Sequence, residues 1–231
     1  RSYMIRVYNL MALAMGITAL FAAGTVMLAT TNNPAAAAAS LPNGTMLTAL
    51  GTVIYGSPLR WVIMLAPLAL VFFLSFRIDR MQTSTAQITF WSFAALIGMS
   101  LSSIFLVYTS ASIVQTFFIT ATAFGALSLY GYTTKRDLTG MGSFLLMGLV
   151  GLILAMIVNI FLGSGALQFA ISVIGVLIFA GLTAYDTQKI KEMYYVGDGA
   201  AVAEKKAIMG ALALYLDFIN MFQFLLMFLG N

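Results

Sequence analysis

Seven long apolar runs, separated by short polar segments, limit what this chain can fold into. An α-helix needs about 17 to 25 apolar residues to cross the hydrocarbon core of a bilayer. The runs cover residues 7–29, 61–76, 86–108, 111–130, 141–162, 168–187 and 207–229. Because 61% of the 231 residues are hydrophobic and only 8% are charged, a soluble core of this length is excluded. The sequence predicts an all-α integral membrane protein, with a single seven-helix transmembrane domain over residues 1–231.

The second run is the weakest of the seven. It is short, follows Arg60 and contains Pro67, which lacks a backbone N–H donor. The sequence therefore predicts a helix that is kinked or that extends backward through residues 53–55. The first run, with its basic start and the later alanine-rich stretch, also resembles a cleavable signal. At about 23 residues it exceeds the usual 7 to 15 residues of a signal core, which favours a spanning helix.

The charges between the runs predict orientation. Basic residues precede the first run and follow the second, fourth and sixth. They are Arg1, Arg6, Arg77, Arg80, Lys135, Arg136, Lys189, Lys191, Lys205 and Lys206. The connections at 30–59, 109–110 and 163–165 carry no charge, and Arg60 is the one exception to the alternation. By the positive-inside rule, the N-terminus is expected in the cytoplasm and the C-terminus outside.

Composition excludes several kinds of chemistry. The chain has no cysteine and no histidine, which rules out disulfides, thiolate nucleophiles, imidazole bases and the common zinc sites. The basic residues form no patch with interleaved aromatic residues, so no nucleic acid is expected as a partner. The expected surroundings are the lipid bilayer.

Two of the seven acidic residues interrupt apolar runs. The other five lie in or beside the basic connections, where a solvated role is expected: Asp79, Asp137, Glu192, Asp198 and Glu204. Asp186 lies near the end of the sixth run and Asp217 lies ten residues into the seventh. An ionised aspartate at the centre of a spanning helix costs about 2.5–3.5 kcal/mol, so such residues are usually paired, protonated or in contact with water.

The spacing of Asp186 and Asp217 predicts that they are partners. The sixth and seventh helices form an antiparallel hairpin whose turn includes Gly197 and Gly199. Because the two aspartates are nearly equidistant from this turn along the chain, they are expected at similar depth on facing helices.

Two neighbouring carboxylates in a low dielectric cannot easily both ionise, so the pair is expected to titrate as one unit. Such a pair is either a proton-operated switch or a simple link between helices. Calcium prefers oxygen ligands, which the pair and Asn220, one turn from Asp217, offer. Asn159 in the fifth run either supports an ion path or is an ordinary interhelical hydrogen bonder.

Three motifs in order resemble a known family: LYGYTTKRDLTGMGSFLLMGLVG at 129–151, GLTAYDTQKIK at 181–191 and ALALYLDFINMF at 211–222. They are similar to the bacterial, YccA-like branch of the Bax inhibitor-1 family. The similarity covers nearly the whole chain from the third helix onward.

The resemblance implies a seven-helix bundle of the bacterial inner membrane, with the last helix central. It also implies a pH-sensitive calcium leak that needs no cofactor and is gated by an aspartyl pair, here Asp186 and Asp217. Some members have an acidic residue in the second helix with a basic partner. No carboxylate lies in residues 30–76, so only Arg77 and Arg80 remain as candidate basic partners.

Two other functions compete with this one. In the first alternative, the protein modulates other membrane proteins, such as a quality-control protease, without conducting ions. Its contact with them would be the connection at residues 189–206. Intramembrane aspartyl proteases also carry aspartates on their sixth and seventh helices. However, Tyr215 and Leu216 precede Asp217 where such a protease has glycines for its substrate, so we do not expect an enzyme.

Overall fold

A computed structural model describes residues 2–231 and consists mainly of α-helices; Arg1 lies outside the described residues. The helices are α1 (Ser2–Ala29), α2 (Ala49–Gly56), α3 (Leu59–Arg77), α4 (Thr83–Leu101), α5 (Ile104–Val107), α6 (Ser110–Thr133), α7 (Thr139–Leu162), α8 (Gly165–Met193) and α9 (Ala200–Leu229). Three two-residue strands, β1 (Thr30–Thr31), β2 (Ala39–Ser40) and β3 (Met46–Leu47), form an antiparallel sheet in the order β1-β3-β2.

The predicted number of spanning helices is confirmed. Within residues 2–231, seven helical segments are long and apolar enough to cross a membrane: Ser2–Ala29, Leu59–Arg80, Thr83–Val107, Ser110–Thr133, Thr139–Leu162, Gly165–Met193 and Ala200–Leu229. Each overlaps one of the seven apolar runs. The last is the most buried, with 61% of its most apolar window covered by protein, against 6% for Thr139–Leu162.

The second run differs from its expected form. The backward extension is a separate helix, α2, because Ser57 and Pro58 interrupt the chain before α3 begins. Pro67 lies inside α3. The alanine-rich stretch forms a 3-10 turn at Pro34–Ala36 and then leads into the small sheet.

The described chain forms two compact units. The first contains the start of α1, Tyr108–Asp198 and Gly210–Asn231. The second contains Arg6–Val107 and Gly199–Met209. The first unit is relevant to the aspartates, since both Asp186 and Asp217 belong to it.

In the first unit, α8 packs closely on α6. A side chain at Gly131 of α6 would overlap the backbone carbonyl of Ala184 on α8. One turn away, the hydroxyls of Ser128 and Thr187 are hydrogen-bonded at 2.8 Å and buried. A small residue at 131 therefore allows the two backbones to approach each other.

The connection before α7 is fastened to α8 by a buried glutamine. Gln188 Oε1 accepts a hydrogen bond from the backbone N of Leu138 at 2.9 Å, and Gln188 Nε2 donates to the carbonyl of Arg136 at 2.7 Å. After Met193, residues 194–199 reverse the chain into α9. The predicted turn at Gly197 and Gly199 is thus confirmed.

In the second unit, Glu204 is not the solvated residue expected from its basic neighbours. It accepts hydrogen bonds from Arg6, with Nη2 to Oε1 at 2.6 Å, and from Gln87 Nε2 at 3.0 Å. Its side chain is only 18% exposed. The reason is that α9 begins at Ala200, before the predicted start at 207, so that Glu204 is on the helix rather than in the connection.

Candidate functional site

Asp186 of α8 and Asp217 of α9 are brought together in the first unit. Both side chains line one groove, and each carboxyl group interacts electrostatically with the other. An ionised carboxylate can only accept hydrogen bonds, so a direct carboxyl–carboxyl bond requires a proton on one partner. The arrangement brings two carboxyl groups together on two transmembrane helices.

The two carboxyl groups have different surroundings. Asp217 is buried, with 4% of its surface exposed, whereas Asp186 is half-buried. Lys189, one turn along α8, is exposed and interacts favourably with the charge of Asp186. Within the described residues, Asp217 Oδ2 is buried and has no hydrogen-bond partner. A second charge at this oxygen would therefore have little compensation from the protein.

The residues that follow each aspartate fix the rotation of its helix. Thr187 bonds to Ser128 on α6, as described above. Phe218 of α9 packs between Phe117 and Phe124, which are also on α6. Its ring centroid is 5.5 Å from that of Phe117 and 5.4 Å from that of Phe124. Because α6 holds both neighbours, α8 and α9 present their carboxyl groups to each other.

The pair lines a groove of about 540 Å³ between α7, α8 and α9. Its walls are mainly leucine, isoleucine, methionine and phenylalanine side chains. The polar lining residues are Asp186, Asp217, Asn220 and Gln223. The last three recur at three-residue spacing and therefore share one face of α9. The result is a polar stripe along an otherwise apolar groove.

The other predicted residues lie apart from the pair or play local roles. Asn220 lines the groove and donates from Nδ2 to the carbonyl of Leu216 at 2.8 Å. Asn159 accepts a hydrogen bond from the backbone N of Ser164 at 3.0 Å and so supports the turn between α7 and α8. Arg77 and Arg80 are exposed residues of the second unit, and their predicted role in a gate stays a prediction.

Gln223 is a lining residue that sequence reasoning missed. It lies six residues after Asp217, on the same helical face as Asn220. That spacing is visible in the sequence, but a glutamine near the end of a spanning helix is not unusual enough to be noticed alone.

The groove contains oxygen-bearing side chains of the kind that calcium prefers. Among residues 2–231, no cluster of three or more Asp, Glu, His or Cys side chains is found. Calcium takes six to eight oxygens when held firmly. The groove offers two carboxylates and two side-chain amides, which carry six oxygen atoms, the lower end of that range.

Seven helices that are long and apolar enough to cross a bilayer define a multi-pass helical membrane protein. The family model described as "Inhibitor of apoptosis-promoting Bax1" matches residues 1–231. The chain belongs to this family, which confirms the resemblance drawn from the three motifs.

Bacterial relatives support the assignment along the chain. The protein RP147 of Rickettsia prowazekii is 49% identical over 231 residues, covering 100% of this chain and 90% of that protein. A protein of Caulobacter vibrioides is 48% identical over 234 residues, covering 100% of this chain and 89% of that protein. The inner membrane protein YbhL of Escherichia coli K12 is 52% identical over 171 residues, covering 73% of each chain.

Proposed function

We propose that the protein is a proton-controlled cation leak of the bacterial inner membrane, with calcium as the permeant ion. The observation that supports it is that the Asp186 and Asp217 side chains interact with each other and line one polar-striped groove. The relative YbhL is named an inner membrane protein, which supports the inner membrane as the location of this protein. The alternation of basic and neutral connections suggests a cytoplasmic N-terminus.

The shared proton keeps α8 and α9 together. With one proton present, one carboxyl donates to the other and the pair carries a single negative charge. When that proton leaves, two negative charges face each other in apolar surroundings, where their repulsion is poorly screened. The charges then separate or attract a cation, and both outcomes favour passage of calcium. Flux is therefore expected to rise with pH.

The polar stripe gives the ion its next contacts. Asn220 and Gln223 supply amide oxygens one and two turns from Asp217, and calcium binds amide oxygens as well as carboxylates. Because these amides are uncharged, they bind calcium less firmly than carboxylates would. Weak binding lets the ion leave, as conduction requires.

Calcium flux into liposomes that contain the purified protein tests the proposal. Wild-type flux should rise between about pH 6 and about pH 8, by at most about tenfold per pH unit because one proton is released. In Asp217→Asn, which keeps the size of the side chain and removes the carboxylate, flux should be nearly independent of pH. Equal flux from the wild type and Asp217→Asn at every pH would contradict the proposal.

We also propose that the protein is not an enzyme. Asp217 follows Leu216, which itself lines the groove, rather than a glycine that would let a peptide backbone reach the pair. A role as a modulator of other membrane proteins makes a different prediction. In that case, exchange of residues 189–206 would abolish the cellular phenotype while substitution of both aspartates would not.

A further inference from the structure

Two adjoining cavities in the second unit have unlike linings. We call the first cavity, which is lined in part by Asn43 and Arg60, the head pocket. Its volume of about 510 Å³ is in the range of ligand pockets, about 300 to 1,000 Å³. Its polar lining residues are Asn43, Tyr55, Arg60, Ser100 and Ser103. We call the second cavity the tail groove. It has a volume of about 480 Å³ and is lined almost entirely by apolar side chains of α1, α2, α3 and α4. Ile54, Ile63 and Met99 line both, so the two cavities adjoin each other.

Arg60 is the charged residue of the head pocket. No carboxylate occurs in residues 30–76, and none lines either cavity. The guanidinium lies over the ring of Trp61, 4.9 Å from its centroid, and the Arg60 side chain is exposed. Arginine with an adjacent tryptophan is typical of the level of lipid headgroups. The pocket therefore has one positive charge available for an anion.

The rim of the head pocket is held by hydrogen bonds. Asn43 Nδ2 donates to the carbonyl of Leu106 at 2.7 Å, which ties the 41–45 turn to the end of α5. Tyr55 and Ser102 share a hydrogen bond of 2.7 Å between their hydroxyls. Burial raises the pKa of Tyr55, so its phenol stays neutral and adds no negative charge to the pocket.

The tail groove opens on an apolar surface. Its lining residues Leu20 and Leu28 of α1 and Leu59 of α3 are 74%, 65% and 39% exposed. On a spanning helix, such side chains face lipid. A charged pocket at the end of the helix and an apolar groove beside it match the two parts of a phospholipid.

We propose that the head pocket and the tail groove form a binding site for an anionic phospholipid. The phosphate lies against Arg60, whose planar guanidinium suits phosphate oxygens. One acyl chain occupies the tail groove. This site lies within the second unit and its test does not depend on ion conduction.

Quenching of Trp61 fluorescence by brominated phosphatidylglycerol tests the proposal. The chain has two tryptophans, so Trp91→Phe in the full-length protein leaves Trp61 as the sole reporter. Quenching should saturate at a low lipid fraction in detergent. Arg60→Gln should raise the half-saturating fraction about fivefold, since one arginine near an anionic headgroup contributes about 1 kcal/mol. Arg136→Gln, which removes an exposed arginine of the first unit, should leave it unchanged.

A pair of glycine variants tests the tail groove separately. A Cβ at Gly24, which lines the groove, or at Gly16 on the same helix, would meet nothing within 4 Å. Gly24→Leu should therefore fill the groove without a clash and weaken the quenching, whereas Gly16→Leu should not.

Three results would overturn the proposal. Equal half-saturation by brominated phosphatidylglycerol and phosphatidylcholine would show that the site does not distinguish an anionic headgroup from a neutral one. No difference between Gly24→Leu and Gly16→Leu would show that no chain enters the groove. Suppression of quenching by millimolar inorganic phosphate, with Gly24→Leu unchanged, would indicate a site for free anions instead.

Discussion

Replacing Gly131 by leucine is expected to reduce the stability of the protein more than any surface substitution. A side chain at 131 would meet the backbone of α8 at Ala184, and backbone cannot rotate away as a flexible side chain can. Overpacking of this kind typically costs about 1 to 3 kcal/mol. The separation of α6 from α8 would also break the bond between Ser128 and Thr187. The apparent melting temperature in detergent should fall.

Gly125→Leu is the matched control for Gly131→Leu. It lies on the same helix, and a Cβ there would meet nothing within 4 Å. The melting temperature of Gly125→Leu should stay close to that of the wild type. If both variants melted alike, the close approach of α6 and α8 at Gly131 would be contradicted.

The second large effect concerns the coupling of the two carboxyl groups. Asp186→Asn, Asp217→Asn and the double variant should each abolish the rise of calcium flux with pH, because either change removes the group that shares the proton. The effects should therefore be strongly non-additive, as expected for residues in direct contact. The flux ratio between about pH 8 and about pH 6, measured for all four proteins, gives the coupling. Two partial and independent losses would contradict it.

Asp137→Asn is the control for general loss of acidic charge. Asp137 is exposed, and Thr139 donates to its Oδ1 from the backbone N at 3.0 Å and from Oγ1 at 2.6 Å. These hydrogen bonds lower the pKa of Asp137. Because a lowered pKa keeps this carboxylate ionised throughout the range from about pH 6 to about pH 8, Asp137→Asn should retain the full pH response.

Much of the fold could be predicted because each membrane-spanning helix corresponds to one long apolar run in the sequence. The seven runs, the turn at Gly197 and Gly199 and the family followed from the sequence alone. The facing of Asp186 and Asp217 also followed, since a hairpin places residues equidistant from its turn at the same depth. These features depend on local pattern and chain geometry, which a single sequence contains.

Other features depended on contacts between distant segments. Glu204 was expected to be solvated, but its position on α9 lets it pair with Arg6, 198 residues away. Gly131 was not singled out, because nothing near it in sequence shows that Ala184 lies against it. The head pocket likewise combines Asn43, Arg60 and Ser103, which no motif connects.

Infrared spectroscopy of the protein with carboxyl-labelled aspartate tests most directly whether Asp186 and Asp217 share a proton. A protonated aspartate band is expected near the acidic end of a titration from about pH 6 to about pH 8, and it should be lost toward the alkaline end as one proton is released. The band should be absent from the Asp186→Asn/Asp217→Asn double variant. A wild type with no protonated aspartate at any pH, or a double variant with the same band, would show that Asp186 and Asp217 do not share a proton.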